Sequence, residues 1–461
     1  MIITPKEFTA RPYGQMISDH ILNVERAAVW AGMGMGKTIS TLNAVNDLQL
    51  VDDRPALVLA PLRVARDTWR DEARKWRHTS HLHVMPIIGN EQQRLRALKA
   101  DANIFTTNYE QLPWLVAHYG ERWPFATVVA DESTKLKGFR LRQGTQRAKA
   151  LGAVAHTKVK RFIELTGTPS PNGLADLWGQ IWFLDKGHRL GRTYDAFKQR
   201  WFEKSYDGFS ISPRDHAQDQ IQRALHDLCI TVEAKDWFDL REPVVVNLYV
   251  DLPAKARALY EDMEKRMFME IEEHAVEAFG AAARTGKCLQ LANGAAYVGE
   301  GSRDWREVHD AKLQVLEELV EESAGAPVLV AYNFKSDLAR LKAAFPDALV
   351  LSTEEGLKAA QAGRGRVWLG HPASMGHGVD GLQYHCNILA FFGHDWNLEN
   401  RLQMIERIGP TRQMQAGKDR AMFIYNILAR DTVDEMVLER VTSKRAVQDI
   451  LLDAMKIRRG K

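Results

Sequence analysis

The stretch Ala31-Gly32-Met33-Gly34-Met35-Gly36-Lys37-Thr38 restricts what this chain can be more than any other. Its glycines let the backbone turn sharply and aim N–H groups at one point. Apolar residues then recur at Ile39, Leu42, Val45 and Leu48, which predicts a helix starting where the loop ends. The free N–H groups and positive dipole end of that helix favour an anion. In a loop of this kind Lys37 reaches the β- and γ-phosphates of a nucleotide, and Thr38 ligates Mg²⁺. Residues 32–39 are therefore the candidate phosphate cradle. The first place of the common GxxxxGK[ST] pattern is Ala31 rather than glycine.

A Gly-rich turn can carry Lys-Thr by chance, so the loop needs a partner. "ATVVADE", Ala126 to Glu132, supplies one. An apolar run suited to a buried strand ends there in two carboxylates. Asp131 is placed to hold Mg²⁺ through water, and Glu132 to orient and deprotonate an attacking water. The two motifs together predict hydrolysis of a nucleoside triphosphate.

Other apolar runs suggest how the chain is organised. Ala56–Pro61, Asn103–Tyr109 and Phe162–Pro169 each end in polar or turn residues, as strands of a parallel sheet flanked by helices do. Ligands of such sheets sit at the carboxyl ends of the strands, so the motif ends converge. From 187 to 311 helical patterns dominate, with methionines Met263 and Met267 read as packing residues and one extended piece at Pro243–Leu252. After Lys312 the alternation returns at Ala326–Tyr332, Ala348–Thr353, Arg366–His371, Cys386–Phe392 and Met422–Leu428. No second Gly-Lys-Thr loop occurs there. The expectation is an α/β protein in three parts: 1–186 and 312–461 as two similar sheet domains, and 187–311 as a helical insertion.

Bulk properties exclude some classes. At 45% hydrophobic and 26% charged the composition is that of a soluble globular chain. No apolar run is long enough to span a bilayer and the N-terminus has no secretory pattern, so a cytoplasmic protein is expected. Cys229, Cys288 and Cys386 lie far apart and read as buried thiols. A net charge of +3 neither announces nor excludes a nucleic-acid partner, since a basic cleft can be balanced by acidic outer faces. His78, His81 and His83 have metal-like spacing in a region better read as an ordinary connection.

The motifs taken in order resemble superfamily-two helicases, and within them the Swi/Snf-type DNA translocases. "RPYGQ" is similar to the adenine-recognition element, with Gln15 reading the base, although Gly14 intervenes between Tyr13 and Gln15. "AGMGMGKT" fits the helicase form of the phosphate loop. "LAPLRVARDTW" resembles the motif whose proline-containing loop touches a DNA strand, and "FTTNYEQL" resembles the family's threonine-tyrosine strand end; Arg63 and Thr107 are candidate contacts to the polymer. "DEST" stands at the DEAH-type box, with Ser133-Thr134 replacing Ala-His. "LTGTPSPNGLADLW" is similar to the motif coupling hydrolysis to domain movement. "SMGHGVDGLQ" resembles a strand-contacting loop, implying Ser374 and His377. "HDWNLENRLQMIERIGPTRQ" resembles the Asp-x-Trp-Asn segment and the arginine motif, with Pro410 where the family has its second arginine. Arg407 and Arg412 are both candidates for the finger on the γ-phosphate. Trp396 either stacks on a base or packs against the second domain.

The resemblance implies two RecA-like domains, ATP and Mg²⁺ as ligands, and an ATP-driven clamp that steps along DNA. Three functions stay open. One is translocation on duplex DNA. Another is unwinding of branched DNA or RNA. The third is a motor serving a nuclease or other protein partner.

Overall fold

Parallel strands buried on both faces form the centre of each half of the chain. The structure, a computed structural model, describes residues 4–32, 34–142, 144–204, 211–273, 278–297, 304–375, 379–418 and 420–444. Met33 and His377, two of the expected site residues, lie outside that description. The chain divides into two compact units between Phe238 and Asp239.

In the first unit β1 (Arg26–Ala31) leads into the phosphate loop. It is followed by β2 (Ala56–Ala60), β3 (Val84–Pro86), β4 (Ile104–Asn108), β5 (Thr127–Asp131), β6 (Arg161–Thr166) and β7 (Cys229–Val232). They form a seven-stranded sheet in the order β3-β4-β2-β5-β6-β1-β7, with every pairing parallel. Successive residues serve opposite layers. Ala28, Leu57, Val128 and Phe162 face one core; Val29, Val58, Val129 and Ile163 face the other. Helices cover both sides, so central strands such as Ala56–Ala60 read as unbroken apolar runs.

The second unit repeats the plan with β8 (Val244–Val250), β9 (Val328–Ala331), β10 (Leu349–Val350), β11 (Val367–Gly370), β12 (Ile388–Phe391) and β13 (Phe423–Ala429). Their order is β8-β13-β12-β9-β11-β10, again all parallel.

The stretch 187–311 departs from the expected helical insertion. Its Cys229–Val232, not expected as a strand, is the edge strand β7 of the first sheet, and the expected extended piece is the edge strand β8 of the second, Val244–Val250. Helices Ala254–Glu273 and Ala278–Ala292 follow. Met263 packs against the second core, as a packing residue should; the Met267 side chain lies outside the description. The difference has a physical cause. A four-residue strand carries too little periodicity to stand out, and pairing with a strand far along the chain leaves no local trace.

A buried ion pair ties the second unit together. Lys312, in helix Ala311–Glu322, is fully buried, and its Nζ lies 2.5 Å from Asp434. The same Nζ donates to Asn293 Oδ1 at 2.8 Å and to the Phe392 carbonyl at 3.3 Å. Asp434 in turn accepts from the Ala429 N–H at the end of β13. Lys312→Ala would leave the Asp434 carboxylate buried without its cation. Urea unfolding of this variant is expected to show a loss of about 3–5 kcal/mol in the second unit. A loss under about 1 kcal/mol would mean that the pair is dispensable.

Candidate nucleotide-hydrolysis site

The helix predicted from Ile39, Leu42 and Val45 is α2 (Lys37–Leu48), and these three residues are buried in the first unit. It follows the loop without a break, because Gly34 and Gly36 both take left-handed backbone (φ 78° and 70°) that a glycine adopts without strain. Ile39 and Met35 turn their side chains into the core, so only their backbone is available to a phosphate. Lys37 Nζ bridges back to the loop, donating to the Ala31 carbonyl at 2.6 Å and the Gly32 carbonyl at 3.1 Å. Thr41 Oγ1 donates to the Lys37 carbonyl and steadies the first turn.

The expected adenine element is the helix α1 (Pro12–Asn23), packed along α2. Ser18 Oγ donates to the Ser40 carbonyl. The glycine between Tyr13 and Gln15 fits this contact, since a Cβ on Gly14 would lie 3.2 Å from Ser40 Oγ. Gln15 itself is exposed and donates to Asp19 at 2.8 Å. Beside it Tyr13 packs edge-on against Trp237 and Phe238.

Asp131 ends β5, level across Leu165 of β6 with Val29 of β1. The carboxylate and the phosphate loop thus leave the same edge of the sheet. Burial raises the Asp131 carboxyl above its ordinary value, while a hydrogen bond from Trp69 and the nearby Lys37 charge oppose the rise. The Trp69 bond is 2.9 Å long and fully buried. Tyr109 fixes the same turn by donating its hydroxyl to the Asp131 carbonyl at 2.8 Å. Neither Trp69 nor Tyr109 stood out in the sequence, because each lies inside a motif read for other residues.

Glu132 is a left-handed residue (φ 59°, ψ 58°), which swings the chain sharply off the strand. Ser133, in the place of the family alanine, is buried and donates to Gln180 Oε1 at 2.9 Å. Gln180 donates onward to the Pro169 carbonyl at 2.7 Å. The Asp-Glu turn is thereby linked through one glutamine to the Leu165–Trp178 motif. The sequence showed the serine but not its partner. In the same layer Glu164 is wholly buried with neither carboxyl oxygen hydrogen-bonded, and burial pushes it well above the carboxylate range.

Within the second unit the two candidate arginines converge on adjacent residues. Arg407 is buried and donates to the Val379 carbonyl at 2.8 Å. Arg412 pairs with Asp380. Pro410 starts the helix Pro410–Gln415 at its first position, after Gly409, where a missing N–H costs nothing.

The expected strand contacts divide. Arg63 is half-buried and Ser374 exposed, with Ser374 Oγ donating to the His371 carbonyl. Thr107 requires correction: it is fully buried, and its hydroxyl donates to the Ile87 carbonyl at 2.8 Å. It holds β4 to the neighbouring chain and presents no surface to a polymer. For Trp396 the packing alternative is realised. It lies half-buried against the second core and donates to Thr285 at 2.9 Å. Among the described residues no group of three His, Cys, Asp or Glu side chains is placed to hold a metal. His78 stacks on Phe8 and bonds Asn43. All three cysteines are free thiols and buried. No helix among the described residues is long and apolar enough to cross a membrane.

Comparison with known proteins adds a family. The family model described as "SNF2-related domain" matches residues 30–291. "Putative protein p41" of Acyrthosiphon pisum secondary endosymbiont phage 1 is 53% identical over 459 residues, spanning 98% of this chain and 99% of that protein. "Chromatin-remodeling ATPase INO80" of Emericella nidulans is 27% identical over 263 residues, which is 53% of this chain and 15% of that much longer protein. Among solved structures, the Sulfolobus solfataricus SWI2/SNF2 ATPase core in complex with dsDNA covers 98% of this chain and 95% of its own at 21% identity, with a TM-score of 0.45. Because the family match runs over more than half of the chain and takes in the phosphate loop and the Asp-Glu turn, this protein belongs to the SNF2-related family of superfamily-two ATPases.

Proposed function

We propose that this protein hydrolyses ATP to move along duplex DNA, in the cytoplasm of a bacterial host. The observation that carries the reading is the convergence of Lys37 and the buried Asp131 at one edge of the first sheet. Cation and carboxylate lie close enough to bias one another, as phosphoryl transfer requires. Thr38 and Asp131 offer hard oxygen donors of the kind Mg²⁺ takes, and that ion, when bound, neutralises charge on the phosphates. Lys37 and the N–H groups opening α2 hold the phosphate oxygens. Glu132 aligns a water for attack on the γ-phosphorus and takes its proton. Arg407 or Arg412 supplies charge to the γ-phosphate as the bond to the leaving oxygen breaks. Gln180 passes the state of this turn to the Leu165–Trp178 motif through its bonds to Ser133 and Pro169.

DNA enters the reading through the family, a relative of which is named as a chromatin-remodelling ATPase. Phosphate contacts from groups such as Arg63 and Ser374 make binding salt-dependent and weakly sequence-dependent. Turnover measured with duplex DNA, single-stranded DNA and RNA tests the proposal. Duplex is expected to raise turnover at least tenfold, and more than the other two. Full activity without polymer, or stimulation by RNA alone, would overturn it.

A further inference from the structure

From Ser133 to Ile163 the chain carries nine lysines and arginines and no acidic residue, although its net charge is only +3. The run begins directly after Glu132. Its cations do not share one place. Lys158, Lys160 and Arg161 lie at the amino end of β6, where Lys158 pairs with Glu121. Arg147 pairs with Glu110. Lys137, Arg140 and Arg142 sit at the opposite end of the sheet, on the connection that leaves the Asp-Glu turn.

That connection contains a closed loop. Gly144 has φ 139°, and a Cβ there would meet the Arg140 nitrogen at 2.9 Å and the Gly138 carbonyl at 3.0 Å. The neck is therefore shut by backbone against backbone. Below it Phe139 is buried among Trp182 and Phe183, with ring centroids 4.4 and 4.9 Å away. Arg140 is spent on anchorage. Its guanidinium lies 3.3 Å from the Tyr194 ring centroid and donates to the Lys137 and Phe139 carbonyls. The next two residues face solvent: Leu141 is 49% exposed, and Arg142 is exposed. A rigid base thus presents an apolar side chain and a cation side by side.

The loop is mechanically continuous with the catalytic turn. Only the short helix Ser133–Leu136 separates Glu132 from Lys137. Leu136 is fully buried. The Leu136 and Lys137 carbonyls press on Gly179, where a Cβ would meet them at 2.7 and 2.5 Å. The segment between the tip and the turn is therefore closely packed against the helix that carries Gly179.

We propose that Leu141 and Arg142 dock on a nucleic-acid strand and that this contact adjusts the turn carrying Glu132, so that polymer binding sets the hydrolysis rate. The inference rests on the reading of the protein as a DNA-driven ATPase. Arg142 takes a backbone phosphate, and Leu141 lies against sugar or base. A strand suits this surface better than an acidic protein does, because one cation beside one apolar group matches the repeat of phosphate and sugar.

The test compares Arg142→Glu, Arg142→Gln and Leu141→Ser with Lys160→Glu, the same charge reversal in the same basic run at the other end of the sheet. ATPase turnover of the full chain is measured against duplex DNA concentration at several salt concentrations. Unstimulated turnover and melting temperature are recorded for each variant. Arg142→Glu is expected to raise the half-saturating DNA concentration about tenfold and to lower the salt slope by about one. Arg142→Gln should raise it about threefold or more. Leu141→Ser should lower the stimulated maximum about fivefold, with the unstimulated rate unchanged. Lys160→Glu should stay within about twofold of the parent. Equal shifts for Arg142→Glu and Lys160→Glu would overturn the proposal, as would a parental response from Arg142→Gln and Leu141→Ser together. If the parent protein itself shows no stimulation by DNA, the underlying function fails, and that outcome is distinct from failure of the loop.

Discussion

Glu132→Gln is expected to lower ATP turnover about a thousandfold while leaving ATP affinity within about threefold of the parent. The amide keeps the size of the side chain and the left-handed backbone of the turn, but cannot take a proton from water. Lys37→Ala is expected to abolish turnover as well, with a different signature. Its ammonium is already held at the loop by the Ala31 and Gly32 carbonyls, and losing it removes the cation that the β- and γ-phosphates meet. ATP binding should therefore weaken strongly in this variant alone. Steady-state turnover and equilibrium binding of a fluorescent ATP analogue separate the two. Equal loss of binding in both variants would contradict the division of roles.

The second large effect concerns the arginine motif. Arg407→Ala and Arg412→Ala are each expected to slow turnover about a thousandfold, in the range of an arginine that meets a γ-phosphate. DNA affinity without nucleotide should stay nearly intact. The structure adds a requirement to the measurement. The two side chains hold adjacent residues, Arg407 the backbone carbonyl of Val379 and Arg412 the side-chain carboxylate of Asp380, and Arg407 is buried. Melting curves must accompany the rates, since the alanine at 407 also leaves a cavity and a bare carbonyl. A variant that melts like the parent and still loses turnover has lost chemistry. If both hydrolyse ATP normally, neither arginine completes the site.

The sequence disclosed the parts of this protein whose physics is local. Glycines that need left-handed backbone, a lysine at a helix start and two carboxylates after an apolar run each follow from a few neighbouring residues. The central strands were legible for a related reason: burial on both faces leaves continuous runs such as Ala56–Ala60 and Val328–Ala331. What escaped depends on distant partners. β7 is a strand only because β1 lies beside it; β8 was legible as an extended piece, but not its pairing with β13. Thr107 resembles a strand contact in its motif, yet the Ile87 carbonyl claims its hydroxyl in the core. The bond from Trp69 to Asp131 spans 62 positions, and no periodicity encodes it. Lys312 reads as an ordinary helix cation; only the fold shows it wholly enclosed with Asp434.

The left-handed backbone at Glu132 makes the carboxylate proposed to take the water's proton a source of instability in its own right. A side-chain-bearing residue held left-handed costs roughly 1–2 kcal/mol that glycine avoids, and this one stands where the chain has no freedom to relax. With Glu132 in its proposed role, stability and turnover are opposed at a single codon. Any search among variants that scores heat resistance alone will favour glycine at 132, by about 1 kcal/mol, and will enrich molecules that are more durable and inert. A screen meant to strengthen this motor must therefore read turnover alongside melting, or hold position 132 fixed.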